Sequence, residues 1–309
     1  MIVETVPAAL EGERLDRIVA IMLDVARSVA SEVVAGGGAL VDGVVERSGK
    51  VRLVEGQVVS ADPSLIHVDG DPEADPNIDV EVIYADEHVI VIDKPAGLVV
   101  HPGAGNTDGT LVNGLLARFP ELSSVGESHR PGIVHRLDAG STGLLVVARS
   151  DMAYHWLTAQ FADHSATRHY IALVWGHPAA PHGMIDAPIG RSRRDPLRMA
   201  VVADGRPART EYEVIQRYLA PSPCTLLSCK LETGRTHQIR VHLSSIDHPL
   251  IGDPTYGQRR PTLGMGRPFL HAAHLEFDHP DGERVAFDSE LPADLRSMLD
   301  RLEPVVDVD

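Results

Sequence analysis

Thiols, aromatic rings and long apolar runs are all scarce in this chain. Only two cysteines, Cys224 and Cys229, occur in 309 residues. No third thiol completes a thiolate metal site with them, and five apart on an expected strand they face opposite sides. They read as buried, reduced thiols of a cytoplasmic protein. Aromatic residues make up 4% of the chain, so each well-placed Tyr or Trp carries information. No apolar run is long enough to span a bilayer, and no membrane partner is expected. The opening MIVETVPAALEGERLD lacks a basic start followed by an apolar core, so no secretory leader is expected. The phosphate-loop pattern GxxxxGK[ST] is missing, as is the zinc pattern HExxH. His271 and His274, and His237 and His242, are spaced as pairs without a supporting carboxylate cluster, so no metal is expected.

Positive charge is also in deficit, with a net charge of −16. The deficit is uneven. Residues 63–87 hold 8 acidic and no basic groups, and residues 276–309 hold 11 acidic and 3 basic. Residues 88–275 hold 19 basic and 15 acidic groups. A polyanion meets the local field rather than the total, so a nucleic-acid partner stays open for this middle segment.

The hydrophobic pattern divides the chain. Leu15, Ile18, Val19 and Met22 fall at helical spacing, and a second helix is expected from Ser28, which can cap it, to Gly36. Asp42-Gly43 between Ala39–Val41 and Val44-Val45 predicts a hairpin. Residues 1–62 thus form one compact module. Residues 63–78, rich in Asp and Pro, form an acidic linker. Residues 79–309 carry short β-branched runs with helices at 110–119 and 152–163. The runs do not alternate regularly with helices, so the expected class is α+β, with a mixed, mainly antiparallel sheet flanked by helices.

Four polar islands could do chemistry. DKPAGLVVHPGAG (93–105) places Lys94 in a rigid turn after a strand. RPGIVHRLDAGSTGLLVVARS (130–150) sets Arg136 and Asp138 at the entrance to a buried strand, followed by small residues that admit a ligand. RHYIALVWG (168–176) starts a strand with Tyr170. LETGRTHQIRVHL (231–243) is the densest polar cluster, and its Arg240 adjoins apolar residues. A buried Arg needs a carboxylate, and Asp138 is the natural partner. An aspartic-protease reading of DAGSTG fails because no second Asp-Ser/Thr-Gly supplies the other carboxylate.

These islands resemble, in order, the motifs of the pseudouridine synthases that modify large-subunit ribosomal RNA. GIVHRLDAGSTGLLVVA resembles the first motif, RHYIALVWG the second and TGRTHQIRVHL the third. The likeness extends over DKPAGLVVHP, HPLIGDPTYG and PFLHAAHLEFDHP, covering roughly residues 79–300. Residues 14–61 resemble the S4-like RNA-binding domain, a layout similar to the D type of that family. The resemblance implies an isomerase that turns uridine into pseudouridine in 23S ribosomal RNA, working as a cytoplasmic monomer. It implies Asp138 as nucleophile or base and Tyr170 as the residue that packs on the base and aids loss of the carbon-5 proton. It further implies Arg240 as the partner of Asp138 and Arg136 as the residue that enters the stack where the uridine leaves.

Physical chemistry is consistent with those roles. A carboxylate must be ionised to attack, and a guanidinium fixes its orientation. A stacked base must be flipped out before chemistry, and a flat ring can receive it. The reaction is redox-neutral and moves no phosphate, so no cofactor is expected. Ala139 stands where the family has a bulkier residue, and Ser141-Thr142 reverses the commoner order. The first module is less basic than usual, with Glu32 beside Arg27, which implies weak RNA contact. The rival function is a non-catalytic RNA- or ribosome-binding protein on the same fold.

Overall fold

The computed structural model describes all residues except 26, 66–70, 104–105, 196–197, 258–259 and 306–309. Two helices, Leu15–Leu23 and Arg27–Ala35, pack on a four-stranded antiparallel sheet near the N-terminus. Leu15, Ile18 and Val19 are buried as their spacing predicts, whereas Met22 is half-buried. The side chain of Ser28, expected as a cap, lies outside what is described. The Asp42-Gly43 hairpin forms with both residues at positive φ, 51° and 79°. This is the twist that a two-residue hairpin needs.

Part of the linker, residues 66–70, lies outside the described residues. The chain beyond it is fastened to a helix, Leu111–Arg118. Asn113 Nδ2 donates to the Glu73 carbonyl, and the Asp75 amide donates to the Asn113 carbonyl. Asn113 Oδ1 also accepts from the backbone N–H and hydroxyl of Thr110, which closes the first turn of that helix.

The rest of the chain is built on one ten-stranded mixed sheet. Its main path runs Glu303–Pro304, Arg209–Ala220, Cys224–Leu231, Thr167–Trp175, Leu270–Asp278, Thr142–Ala148, Val89–Lys94, Glu81–Ala85. Neighbours are antiparallel except at the centre, where Leu270–Asp278 runs parallel to Thr142–Ala148. The expected mixed, mainly antiparallel sheet is therefore present. Alternation along the strands splits the core. Ile90, Ile92, Leu145, Val147, Tyr170 and Cys229 face one side, under the Leu111–Arg118 helix and a helix at Gln238–Ser245. Val89, Val91, Leu144 and Val146 face the other, against the Asp151–Asp163 helix. Cys224 and Cys229 are both buried and free, in separate core clusters. Burial raises their thiols to about 11 and about 12.

The central parallel joint positions the site. Tyr170 is in register with Ala272, and Ala272 with Gly143. Tyr170 is thus level with the start of the Thr142–Ala148 strand, two strands away, roughly 10 Å. Gly143 holds φ at 109°, and a Cβ there would lie 2.2 Å from the Ala272 carbonyl oxygen. Only glycine lets the two backbones meet at this point. Among the described residues no helix is long and apolar enough to cross a membrane.

Candidate active site

Asp138 sits on a turn directly before the Thr142–Ala148 strand. Its carbonyl accepts from the Ser141 amide at 3.0 Å. Leu137 is buried and pins the turn, so the side chains on either side of it project outward: Arg136 is exposed and Asp138 half-buried. The Ala139 carbonyl accepts from the Gly97 amide at 2.8 Å and from Lys94 Nζ at 3.2 Å. Arg267 Nη1 donates to the Gly140 carbonyl. The turn is therefore held from below by atoms far away in sequence.

Lys94 corrects the sequence reading. It is the last residue of a strand, fully buried, rather than part of the turn that follows. Its ammonium also donates to the carbonyls of Pro95 and Leu98. Burial lowers it to about 8, opposed by the negative charge of Asp138.

Arg240 comes from the first turn of the Gln238–Ser245 helix. His237, in the left-handed region at φ 56°, sets the entry of that helix. Gln238 ties the preceding loop down: its Oε1 accepts from the Thr233 hydroxyl and the Arg235 amide, and its Nε2 donates to the Arg209 carbonyl. Arg240 Nη1 donates to Asp138 Oδ2 at 3.0 Å, which is the pairing expected from the sequence. Its Nε and Nη2 form a fork on both oxygens of Asp253, at 2.8 and 2.9 Å. Burial disfavours the guanidinium charge, but Asp253 and Asp138 more than offset it and hold Arg240 above its ordinary value. Asp253 is disfavoured by burial yet held below the usual carboxylate range by Arg240 and by the amides of Tyr256 and Thr255.

An aromatic cover completes the cluster. The Tyr256 ring lies 5.1 Å from the Arg240 guanidinium carbon. Its hydroxyl accepts from the Met199 amide and hydrogen-bonds His237 Nδ1 at 2.9 Å. His237 Nε2 is 4.0 Å from Asp138 Oδ1. Burial lowers His237, so its ring is neutral at pH 7, although Asp138 opposes the effect.

Asp138 opens onto a cavity of about 520 Å³. Tyr170, buried on the Thr167–Trp175 strand, forms one wall, and Arg136, Arg168, Arg235 and Arg240 also line it. Asp138 is the only carboxylate among the described residues of that lining. A second cleft of about 490 Å³ borders Asp138 on its other side and reaches Asp24 of the N-terminal module. Asp24 pairs with Arg191 of the large unit at 2.6 Å.

The four residues singled out in the sequence, Arg136, Asp138, Tyr170 and Arg240, thus converge on one cavity. Sequence reasoning missed Asp253, Tyr256 and His237 as parts of the cluster, and Arg168 as part of the wall. For Asp253 a signal existed: an Asp between Gly252 and Pro254, after the apolar pair Leu250-Ile251. The histidines of the two pairs have separate partners. His271 hydrogen-bonds Thr142 and Ser289, whereas His274 pairs with Asp288. His242 hydrogen-bonds Thr210 and Ala187.

Residues 88–245 match the family described as RNA pseudouridylate synthase. This chain belongs to that family. It is an isomerase of the pseudouridine synthase type. It is 49% identical to the ribosomal large subunit pseudouridine synthase D of Zymomonas mobilis, over 73% of this chain and 74% of that one. It is 43% identical to the synthase D of Xanthomonas campestris, over 96% and 91%. Among solved structures it is similar to human RNA pseudouridylate synthase domain containing 1. That match has a TM-score of 0.59 and 26% identity, covering 74% of this chain and 89% of the human one.

Proposed function

We propose that this pseudouridine synthase isomerises specific uridines of 23S ribosomal RNA, with Asp138 as its essential carboxylate. The names of its relatives support the RNA class. The observation that carries the residue assignment is the Asp138–Arg240 ion pair facing a cavity whose wall is Tyr170. A cavity of about 520 Å³ is of the size that receives one flipped nucleoside. Arg136, exposed on the same rigid turn, is suited to fill the stack that the uridine leaves. Tyr170 gives the base a flat wall, and Asp138 engages the sugar once Arg240 has fixed its carboxylate. Residues 1–62 serve as an S4-like RNA-binding module joined through residues 63–78 to the catalytic unit, residues 79–309. The enzyme works as a monomer in the cytoplasm.

The test is pseudouridine mapping of large-subunit RNA in cells that lack the protein, complemented with wild type or Asp138→Ala. Defined sites should vanish, return with wild type and stay absent with the variant. Restoration by both versions would rule out Asp138 as the catalyst, and no change at any site would mean a different RNA substrate or a non-catalytic binder on this fold.

A further inference from the structure

Arg168 stands on the Thr167–Trp175 strand two residues before Tyr170, so both side chains face the cavity. It is 7% exposed. A guanidinium this deep is normally matched by a carboxylate, because leaving its charge unpaired is costly. Among the described residues no carboxylate lies within ion-pair distance of Arg168, and its Nε is buried without a hydrogen-bond partner. Its charged end instead lies 5.1 Å from the centre of the Phe161 ring. Burial pushes its pKa down, yet a guanidinium remains charged at neutral pH.

A second buried donor beside it is also unused. The His135 ring stacks on Phe161, and its Nε2 accepts from the Val146 amide. Burial lowers His135 to about 3, so the ring is neutral and its proton sits on Nδ1. That atom too is buried without a partner. Both residues line the cavity, whose only described carboxylate is already bound to Arg240.

We infer that Arg168 is a catalytic residue that stabilises the uracil anion released when the glycosidic bond breaks. This rests on the isomerase reading of the same cavity. The C1′–N1 bond breaks with its electron pair left on N1, and the negative charge spreads to O2 and O4. Carbon-5 then bonds to C1′ as the Asp138–C1′ ester bond breaks or, on the other route, as Asp138 returns the proton to C2′. Carbon-5 gives its proton to water and N1 takes one from water, so nothing is gained or lost overall. The same charge on the base arises whether Asp138 attacks C1′ or removes the C2′ proton. A flipped base is the most deeply inserted part of a nucleotide, and Arg168 lies at that depth. The RNA phosphates stay near water, where half-buried Arg235 stands at the rim. Because uracil is neutral before bond cleavage, the cation binds the transition state better than the substrate.

The experiment compares wild type, Arg168→Met, Arg168→Lys and Asp138→Asn in single turnover. The substrates are one large-subunit transcript carrying uridine, and the same transcript carrying 5-fluorouridine, at the target site. Fluorine withdraws electron density and stabilises the departing base without help from the protein. Arg168→Met should melt as wild type does and keep its Kd for the transcript. It should consume the uridine substrate roughly 10²–10³-fold more slowly, with a clearly smaller loss on 5-fluorouridine. Arg168→Lys should recover part of the rate. Equal losses on the two substrates, a loss confined to Kd, or no loss would overturn the inference. Full activity of Asp138→Asn would overturn the assignment of the Asp138 cavity as the active site, and none in wild type the isomerase reading on this transcript, either one taking this inference with it.

Discussion

Arg240 Nη1 reaches Asp138 Oδ2 at 3.0 Å across 102 positions of sequence. The carboxylate that faces the cavity therefore takes its orientation from a helix that lies outside its own motif. That helix residue is in turn fixed by the two-oxygen fork of Asp253, whose side chain is fully buried.

Removing the fork should cost both stability and rate. Asp253→Asn leaves a buried guanidinium with Asp138 as its only described carboxylate. We expect a loss of about 3–5 kcal/mol in urea unfolding, the scale of a broken buried pair. In protein that still folds, kcat should drop roughly 10²-fold with KM little changed. An unchanged kcat would show that Asp138 does not depend on this support.

Lys94 makes a pH-dependent prediction. Its folded pKa, about 8, lies below the ordinary lysine value of 10.5. Between those values the unfolded chain binds more protons, so the contribution of Lys94 to stability rises with pH across that window. Below it the full cost of the buried charge remains. Unfolding free energies of wild type and Lys94→Met should therefore diverge in favour of wild type from pH 7.5 to pH 10, by on the order of 1–3 kcal/mol. A constant difference would mean that the ammonium stays protonated throughout.

Gly143→Ala should be severe. A Cβ at 2.2 Å from the Ala272 carbonyl oxygen, at φ 109°, has no side chain to push aside, only backbone at the parallel joint. The cost should be roughly 4 kcal/mol or more, read as a fall in urea midpoint or loss of soluble protein. Gly97→Ala is the comparison. It also has positive φ, 88°, but open space around its Cβ, and should lose less.

Arg136→Ala should discriminate between RNA contexts. Its side chain is exposed on the Asp138 turn, and the role proposed for it is to enter the stack. The rate should fall more on a target uridine held in a helix than on the same uridine in an unpaired loop, because flipping from a loop costs less. Single-turnover rates on the two transcripts measure this, and equal losses would remove Arg136 from base flipping.

Much of the site was legible in linear order. Asp138, Tyr170 and Arg240 stand out because each is a polar residue beside a buried run, and such residues need a reason to be there. The Asp42-Gly43 hairpin and the split of the two cysteines follow from local geometry alone. Lys94 was misread as a turn residue. Its flanking Pro95 and Gly97 mark a turn, but nothing local says that three carbonyls from the following loops close around its ammonium.

The sequence by itself determined most of the elements and the order of the chemical islands, because periodicity and polar residues in apolar settings are local signals. Tertiary structure alone decided that Leu270–Asp278 joins the two halves of the sheet in parallel and brings Tyr170 level with the Asp138 turn. It alone set Asp253 behind Arg240 and left Arg168 buried without a carboxylate among the described residues. Hydrogen-bond partners and missing counter-charges are properties of neighbours in space, and chain order does not specify those neighbours until the sheet has closed.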